Sequence, residues 1–237
     1  MVEISSLETA LNVAGSIALK EERGQWIFRG SANAEKFKLR PLVGREKYTS
    51  KEFHQYENSI MTIFKREVPN FLSIVPDNEW EWLALAQHHG LPTRMLDFSF
   101  NIMTALYFSV DSHEDVAGEL IMVKAPKKAS DGLQKTSPYN IKKLQKYFPR
   151  IVSKRITAQE GLFVVFPEPQ KLLDEQLRSD WSVKKFTIPA EKKKRIRYEL
   201  FRCGVHRSSL FPDLEGLCDR IRWSHTVNPI TAGIRSR

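Results

Sequence analysis

Cysteine is scarce. Cys203 and Cys218 are the only two in 237 residues, too few for a disulfide framework, so the expectation is a reduced protein. Both fall in helix-like patterns and read as inert core thiols. No apolar run reaches the roughly eighteen residues that a membrane-spanning helix needs. The first residues lack a basic stretch leading into an apolar one, so no secretory signal is expected and a cytoplasmic location is the default. There is no glycine-rich phosphate loop of the Walker type and no Gly-x-Ser-x-Gly elbow, so neither P-loop chemistry nor an elbow-type serine hydrolase is expected. His-x-x-x-His pairs and carboxylates clustered beside the histidines are also lacking, so no metal site is expected. Internal repeats and low-complexity linkers are missing too.

What is present is an ordinary apolar fraction and an uneven charge. At 41% hydrophobic and 11% aromatic residues the chain can bury a substantial core. Its net charge of +9 is concentrated in two windows. Residues 142–155 hold Lys142, Lys143, Lys146, Arg150, Lys154 and Arg155 with no acid. Residues 184–202 hold eight cations against Glu191 and Glu199. Outside these windows the chain is slightly acidic. Local positive charge of this kind suits a nucleic acid or another phosphate-bearing partner, or it is a solvated basic face.

The periodicities predict a helix from Ser5 or Ser6 to about Lys20 and a strand over Gln25–Gly30. On that strand Trp26 and Phe28 point one way and Ile27 and Arg29 the other. Arg29 therefore stands on an apolar strand and needs a carboxylate, phosphate or carbonyl partner. Gly30 beside it permits close approach of a ligand or of backbone. Arg40 precedes Pro41 and is pushed to an extended conformation. Residues 50–68 predict a helix with a buried stripe of Phe53, Tyr56, Ile60, Ile63 and Phe64. Pro76-Asp77-Asn78 starts another helix, which Gly90 ends. His88 and His89 then occupy its last turn, where the helix's negative end favours a protonated histidine.

The residues that follow are dense in polar groups. Thr93, Arg94 and Asp97 fall in a short extended or looping segment before a helix capped by Ser99 or Asn101. Arg94 and Asp97 either pair with each other or help hold His88, His89 and a ligand. Further strands are expected over 118–124, 161–167 and 183–188, with loop and a basic helical piece over 130–149. Helices are expected over 191–203 and 212–223, the second with Leu214, Leu217, Cys218 and Ile221 inward. In that last helix Asp213 and Glu215 suit the positive end. Together these elements predict an α+β single domain over 1–237, with a mixed or mainly antiparallel sheet flanked by helices. Its core would span about 25–222, with an N-terminal helix over 1–20 and a tail over 224–237.

Trp26-Ile-Phe-Arg-Gly, followed by Gln87-His-His-Gly-Leu-Pro-Thr-Arg-Met-Leu-Asp-Phe-Ser and Ala105-Leu-Tyr-Phe, resembles the FRG domain family, named for its Phe-Arg-Gly motif. Arg155…Gln159-Glu-Gly161-Leu-Phe163 and Leu210-Phe-Pro-Asp-Leu-Glu-Gly216 resemble its later blocks. Phe98 stands where many members have tryptophan. The resemblance implies a bacterial or phage protein, often of a defence-related setting. The Arg-Gly pair on an early strand is also distantly similar to arginine-type ADP-ribosyltransferases. That likeness implies NAD as cofactor, Arg29 on the dinucleotide, and a glutamate, Glu215 first and Glu160 second, at the nicotinamide ribose. A Glu-x-Glu pair and a Ser-Thr-Ser strand are not evident. The catalytic candidates are thus Arg29, His89 and Glu215. The ligand-binding candidates are Gly30, Arg40, His88, Thr93, Arg94, Asp97, Arg155 and Gln159. The alternatives are a nucleic-acid-binding or nucleic-acid-processing protein using 142–155 and 184–202, and a non-catalytic interaction module. No membrane partner is expected.

Overall fold

Six strands make one antiparallel sheet, and a gap between two of them positions the site. The computed structural model describes residues 3–18, 20–22, 24–45, 53–127, 132–150 and 153–226. The strands are β1 (Trp26–Ser31), β2 (Met95–Ser99), β3 (Gly118–Lys124), β4 (Gln145–Tyr147), β5 (Gly161–Val165) and β6 (Ser182–Ile188), in the order β4-β5-β2-β1-β3-β6. The described helices are α1 (Leu7–Ile17), α2 (Phe53–Glu67), α3 (Glu79–His88), α4 (Ile102–Val110), α5 (Lys154–Ala158), α6 (Ala190–Arg202), α7 (Arg207–Leu210) and α8 (Leu214–Thr226). The fold is α+β, as the patterning predicts, and every pairing between these strands is antiparallel.

Alternation along the strands distributes the core over both faces of the sheet. Trp26 and Phe28 of β1 join Leu120, Met122, Phe186 and Ile188 under α1, α4 and α6. Ile27, Leu96, Phe98, Ile121 and Val123 pack on the opposite face with Phe166, Leu173 and Trp181. A third cluster seats Met95, Phe163 and Val165 against Met61 of α2 and Trp80 and Leu83 of α3. Local signals set the helix starts. The Ser6, Asn78 and Asn101 side chains accept from Thr9 N, from Trp80 N and Glu81 N, and from Met103 N. Gly90 follows α3 at φ +84°, a left-handed conformation that glycine adopts without strain.

Strand β1 pairs with β3 along its whole length but meets β2 at one position, Phe28 opposite Ser99. Beyond that point the two strands splay. Gly30 is needed on the far side: a Cβ there would come within 1.9 Å of Ala105 O and 2.6 Å of Ser109 N. The backbone of α4 therefore lies directly on β1, and no side chain fits between them.

Four local expectations need correction. Cys203 and Cys218 are exposed, not core thiols. The α2 helix turns Glu57 and Met61 inward while Ile63 is 47% exposed, because a buried ion pair claims the helix face that apolar periodicity assigned to the stripe; the Phe53 side chain lies outside the described residues. On α8 the apolar residues face outward, with Leu214 75% exposed. The reason is Gly216, whose Cβ would come within 2.0 Å of Phe211 O, so the glycine side of the helix is the packed one. Between 130 and 149 there is no α-helix among the described residues; Gln145–Tyr147 forms the edge strand β4 and the new helix α5 follows it. The expected tail lies outside the described residues from 227 onward. No described helix is long and apolar enough to cross a membrane.

Candidate functional site

The splay between β1 and β2 opens into a cleft of about 660 Å³, within the size range of small-molecule sites. Its walls come from the end of β1, the end of α3, strand β2, helix α4 and helix α5. Arg29 spans the gap. Its Nη1 donates to the Asp97 carbonyl at 2.6 Å and lies 3.8 Å from Asp97 Oδ2. This guanidinium replaces the ladder contact that the diverging strands no longer make. Burial lowers its pKa, Asp97 raises it and Arg45 lowers it.

Asp97 is held from α3. Gln87 Nε2 donates to Asp97 Oδ2 at 3.0 Å, and Thr93 Oγ1 donates to Gln87 Oε1 at 2.7 Å. His88 Nε2 and Ser153 Oγ are 3.0 Å apart, and the His88 and His89 rings meet edge to face at 5.0 Å. Arg155 enters from α5 with its guanidinium 4.2 Å from the Phe211 ring centroid; Arg207 lies against the same ring at 3.7 Å. Gln159 Nε2 donates to Leu210 O at 3.1 Å. The 210–211 segment thus braces two groups of the cleft from outside it. Arg45 and Asp111 line the cleft further along, among the rings of Phe37 and Phe108.

The cleft therefore gathers Arg29, Gly30, His88, His89, Asp97, Arg155 and Gln159 from the sequence-derived candidates. It does not gather the others. Arg94 is fully buried on Glu57, which accepts from its backbone N at 2.9 Å, from Nε at 3.0 Å and from Nη2 at 2.8 Å. Tyr139 covers it with the ring centroid 4.8 Å away. Arg94 thus pairs with neither Asp97 nor the cleft. Thr93 is buried and reaches the cleft only through Gln87. Arg40 lies outside, with Nη1 3.5 Å from Gly44 O. Glu215 is exposed on the first turn of α8, outside the lining. Glu160 is exposed at φ +46° and accepts from Asn101 Nδ2 at 3.0 Å. Sequence reasoning missed Gln87, Arg45, Asp111 and Phe37 as cleft residues. Gln87 was within reach, since it stands in the densest polar segment; the other three carry no local signal.

Two expectations about charge change. Burial, then Arg155 and then His89, push His88 down to about 4, which outweighs the helix end that favours its protonated form. His88 is thus neutral at pH 7. Because its folded pKa lies below the unfolded value, the stability tied to this group is whole above about pH 6.5 and is lost as pH falls from there through about 4. His88→Gln is expected to flatten that part of the curve. Urea midpoints at pH 7 and pH 4.5 check this; an equal loss in both proteins would refute it. In the basic windows, Lys146 and Lys193 are buried. Lys146 donates to Gly24 O at 2.7 Å, and Lys193 donates to Ala32 O at 2.7 Å and to Ser112 O and His113 O at 2.8 Å. These two lysines tie loops together and are not solvated surface charges.

Among the described residues no group of three or more His, Cys, Asp or Glu side chains is placed to share a metal ion. No curated protein and no solved structure matches the chain. A family model does match, described as FRG domain, over residues 24–117. That span includes β1, α3 and β2 and stops short of Arg155 and Gln159. The stretch that carries Arg29, Gln87, His88, His89 and Asp97 to the cleft is the part of the chain that is similar to the FRG domain.

Proposed function

We propose that the cleft binds an anionic, nucleotide-like ligand and that the protein is an NAD-dependent enzyme of the ADP-ribosyltransferase kind. The observation that carries this reading is the convergence of Arg29, Arg45 and Arg155 on one aromatic-walled cleft that also holds Asp97. Guanidinium groups match phosphate oxygens in pairs, and aromatic walls accept the flat faces of bases. Bound NAD would supply a glycosidic bond that breaks with its electron pair leaving on nicotinamide, while the ribosyl carbon bonds to water or to an acceptor nucleophile that gives up its proton. A fixed carboxylate stabilises the positive charge that develops on the ribose. Glu215 and Glu160 are not placed for that role. Asp97 is the carboxylate we propose for it, being 56% exposed at the cleft and 3.8 Å from Arg29. Asp111, the other cleft carboxylate among the described residues, lies instead beside Arg207 at 3.9 Å.

The test is nicotinamide release from NAD by the whole chain, together with calorimetric binding of ADP-ribose. Asp97→Asn is expected to lower turnover on the order of a hundredfold or more, in the range seen for removal of an electrostatic stabiliser, while ADP-ribose still binds. A wild-type protein that neither binds ADP-ribose nor releases nicotinamide would end this reading.

A nucleic acid is the second reading, favoured by one observation. Arg155 belongs to the basic window 142–155 and also lines the cleft. A strand lying on that window would reach the same site, and its binding would weaken steeply with salt.

A further inference from the structure

We propose that Gln87 is the positioning residue for the Asp97 carboxylate, and that Thr93 fixes which way Gln87 faces. The inference rests on the enzymatic reading above. Thr93 Oγ1 accepts from Met95 N at 3.2 Å and donates its own proton to Gln87 Oε1 at 2.7 Å. That contact settles the orientation of the Gln87 amide. Its Nε2 must then point at Asp97 Oδ2, at 3.0 Å. A flipped amide would set oxygen against carboxylate and leave the buried Thr93 hydroxyl without its acceptor.

The arrangement answers a local need. Asp97 stands on β2 where the strand has lost its β1 neighbour, and its side chain is more than half exposed. A carboxylate in that setting samples several rotamers. Electrostatic stabilisation of a developing charge requires one of them. Arg29 is 3.8 Å from the same Oδ2 and bonds the Asp97 carbonyl. Both contacts fall on one carboxylate oxygen, Oδ2. The geometry also accounts for a buried threonine and a half-buried glutamine six residues apart, on either side of the turn at Gly90.

Two measurements test the proposal. The first needs no activity. The Gln87 side-chain amide signals are followed by 15N–1H correlation in ligand-free protein and assigned with Gln87→Met. Asp97→Asn and Thr93→Val are each expected to move the paired proton shifts toward those of exposed glutamines. Unmoved signals would overturn the proposal whatever the enzyme does. The second is kinetic. Gln87→Met, similar in length and unable to donate, is expected to lower kcat for nicotinamide release by roughly ten- to a hundredfold, the scale of a slight misplacement of a reacting group. KM for NAD should stay within about twofold, since NAD contacts through the arginines are untouched. A rise in KM with unchanged kcat would make Gln87 a ligand contact and refute positioning. If the wild type releases no nicotinamide, the enzymatic reading fails, and the amide shifts alone decide whether Gln87 holds Asp97.

Discussion

Replacing Glu57 by alanine is expected to destabilise the protein by about 3–5 kcal/mol, the usual cost of leaving one member of a buried ion pair alone. Both side chains of the pair are fully shielded from solvent. Glu57 accepts three hydrogen bonds from Arg94, one of them from the backbone. Removing it strands a guanidinium among Tyr139, Pro138 and the third core cluster, where water cannot replace the lost acceptors. For a chain of this length the loss corresponds to a fall of roughly 6–20 °C in Tm. Urea unfolding followed by circular dichroism measures it. A double replacement, Glu57→Leu with Arg94→Met, is expected to recover much of the loss, because two apolar groups of similar volume leave no charge buried. A single variant that loses less than about 1 kcal/mol would mean that the pair is solvated and carries little. The consequence reaches the cleft although Arg94 is not in it. Arg94 is the residue before β2, so a displaced Arg94 shifts the strand that presents Asp97.

Arg29→Ala is expected to reduce ADP-ribose affinity by about 2–5 kcal/mol, roughly thirtyfold to several thousandfold, the range for truncating one side of a hydrogen-bonded charge contact. Calorimetry on the purified protein reads this directly. The variant should remain folded, because β1 keeps its six register pairs with β3 while the bond to the Asp97 carbonyl and the ion pair with its carboxylate are lost. Arg29→Lys should recover little, since a single ammonium cannot reproduce the planar fork. The competing outcome is informative. If Arg29→Ala unfolds while an affinity measurement at low temperature is unchanged, the guanidinium is a seam between β1 and β2, and the ligand is held by Arg45 and Arg155.

Much of the fold was legible because it rests on short-range rules. Ser6, Asn78 and Asn101 cap within three residues, Gly90 and Gly204 end helices at positive φ, and strand alternation separates Ile27 from Trp26 and Phe28. The same rules placed Arg29 on a strand and His88 and His89 at a helix end. They misread α2, where the buried side of the helix is chosen by a partner far along the chain, and α8, where it is chosen by the non-helical segment that leads into the helix. Glu57 is inward on α2 because Arg94, thirty-seven residues later, needs a carboxylate. Gly216 is inward on α8 because Phe211 lies against it.

The candidate site divides in the same way. By itself the sequence determined that an arginine on an apolar strand and a dense polar segment at a helix end would require partners, since burying such groups unpaired costs too much. Which partners they took was decided only by tertiary structure. Arg94 went to Glu57 and left the cleft, Asp97 went to Arg29 and Gln87, and Glu215 came to lie on the outer helix α8. The physical reason is range. Capping and periodicity act within a turn or two of chain, whereas the choice among competing ion-pair partners depends on which backbones the packed sheet brings within a few ångströms of one another.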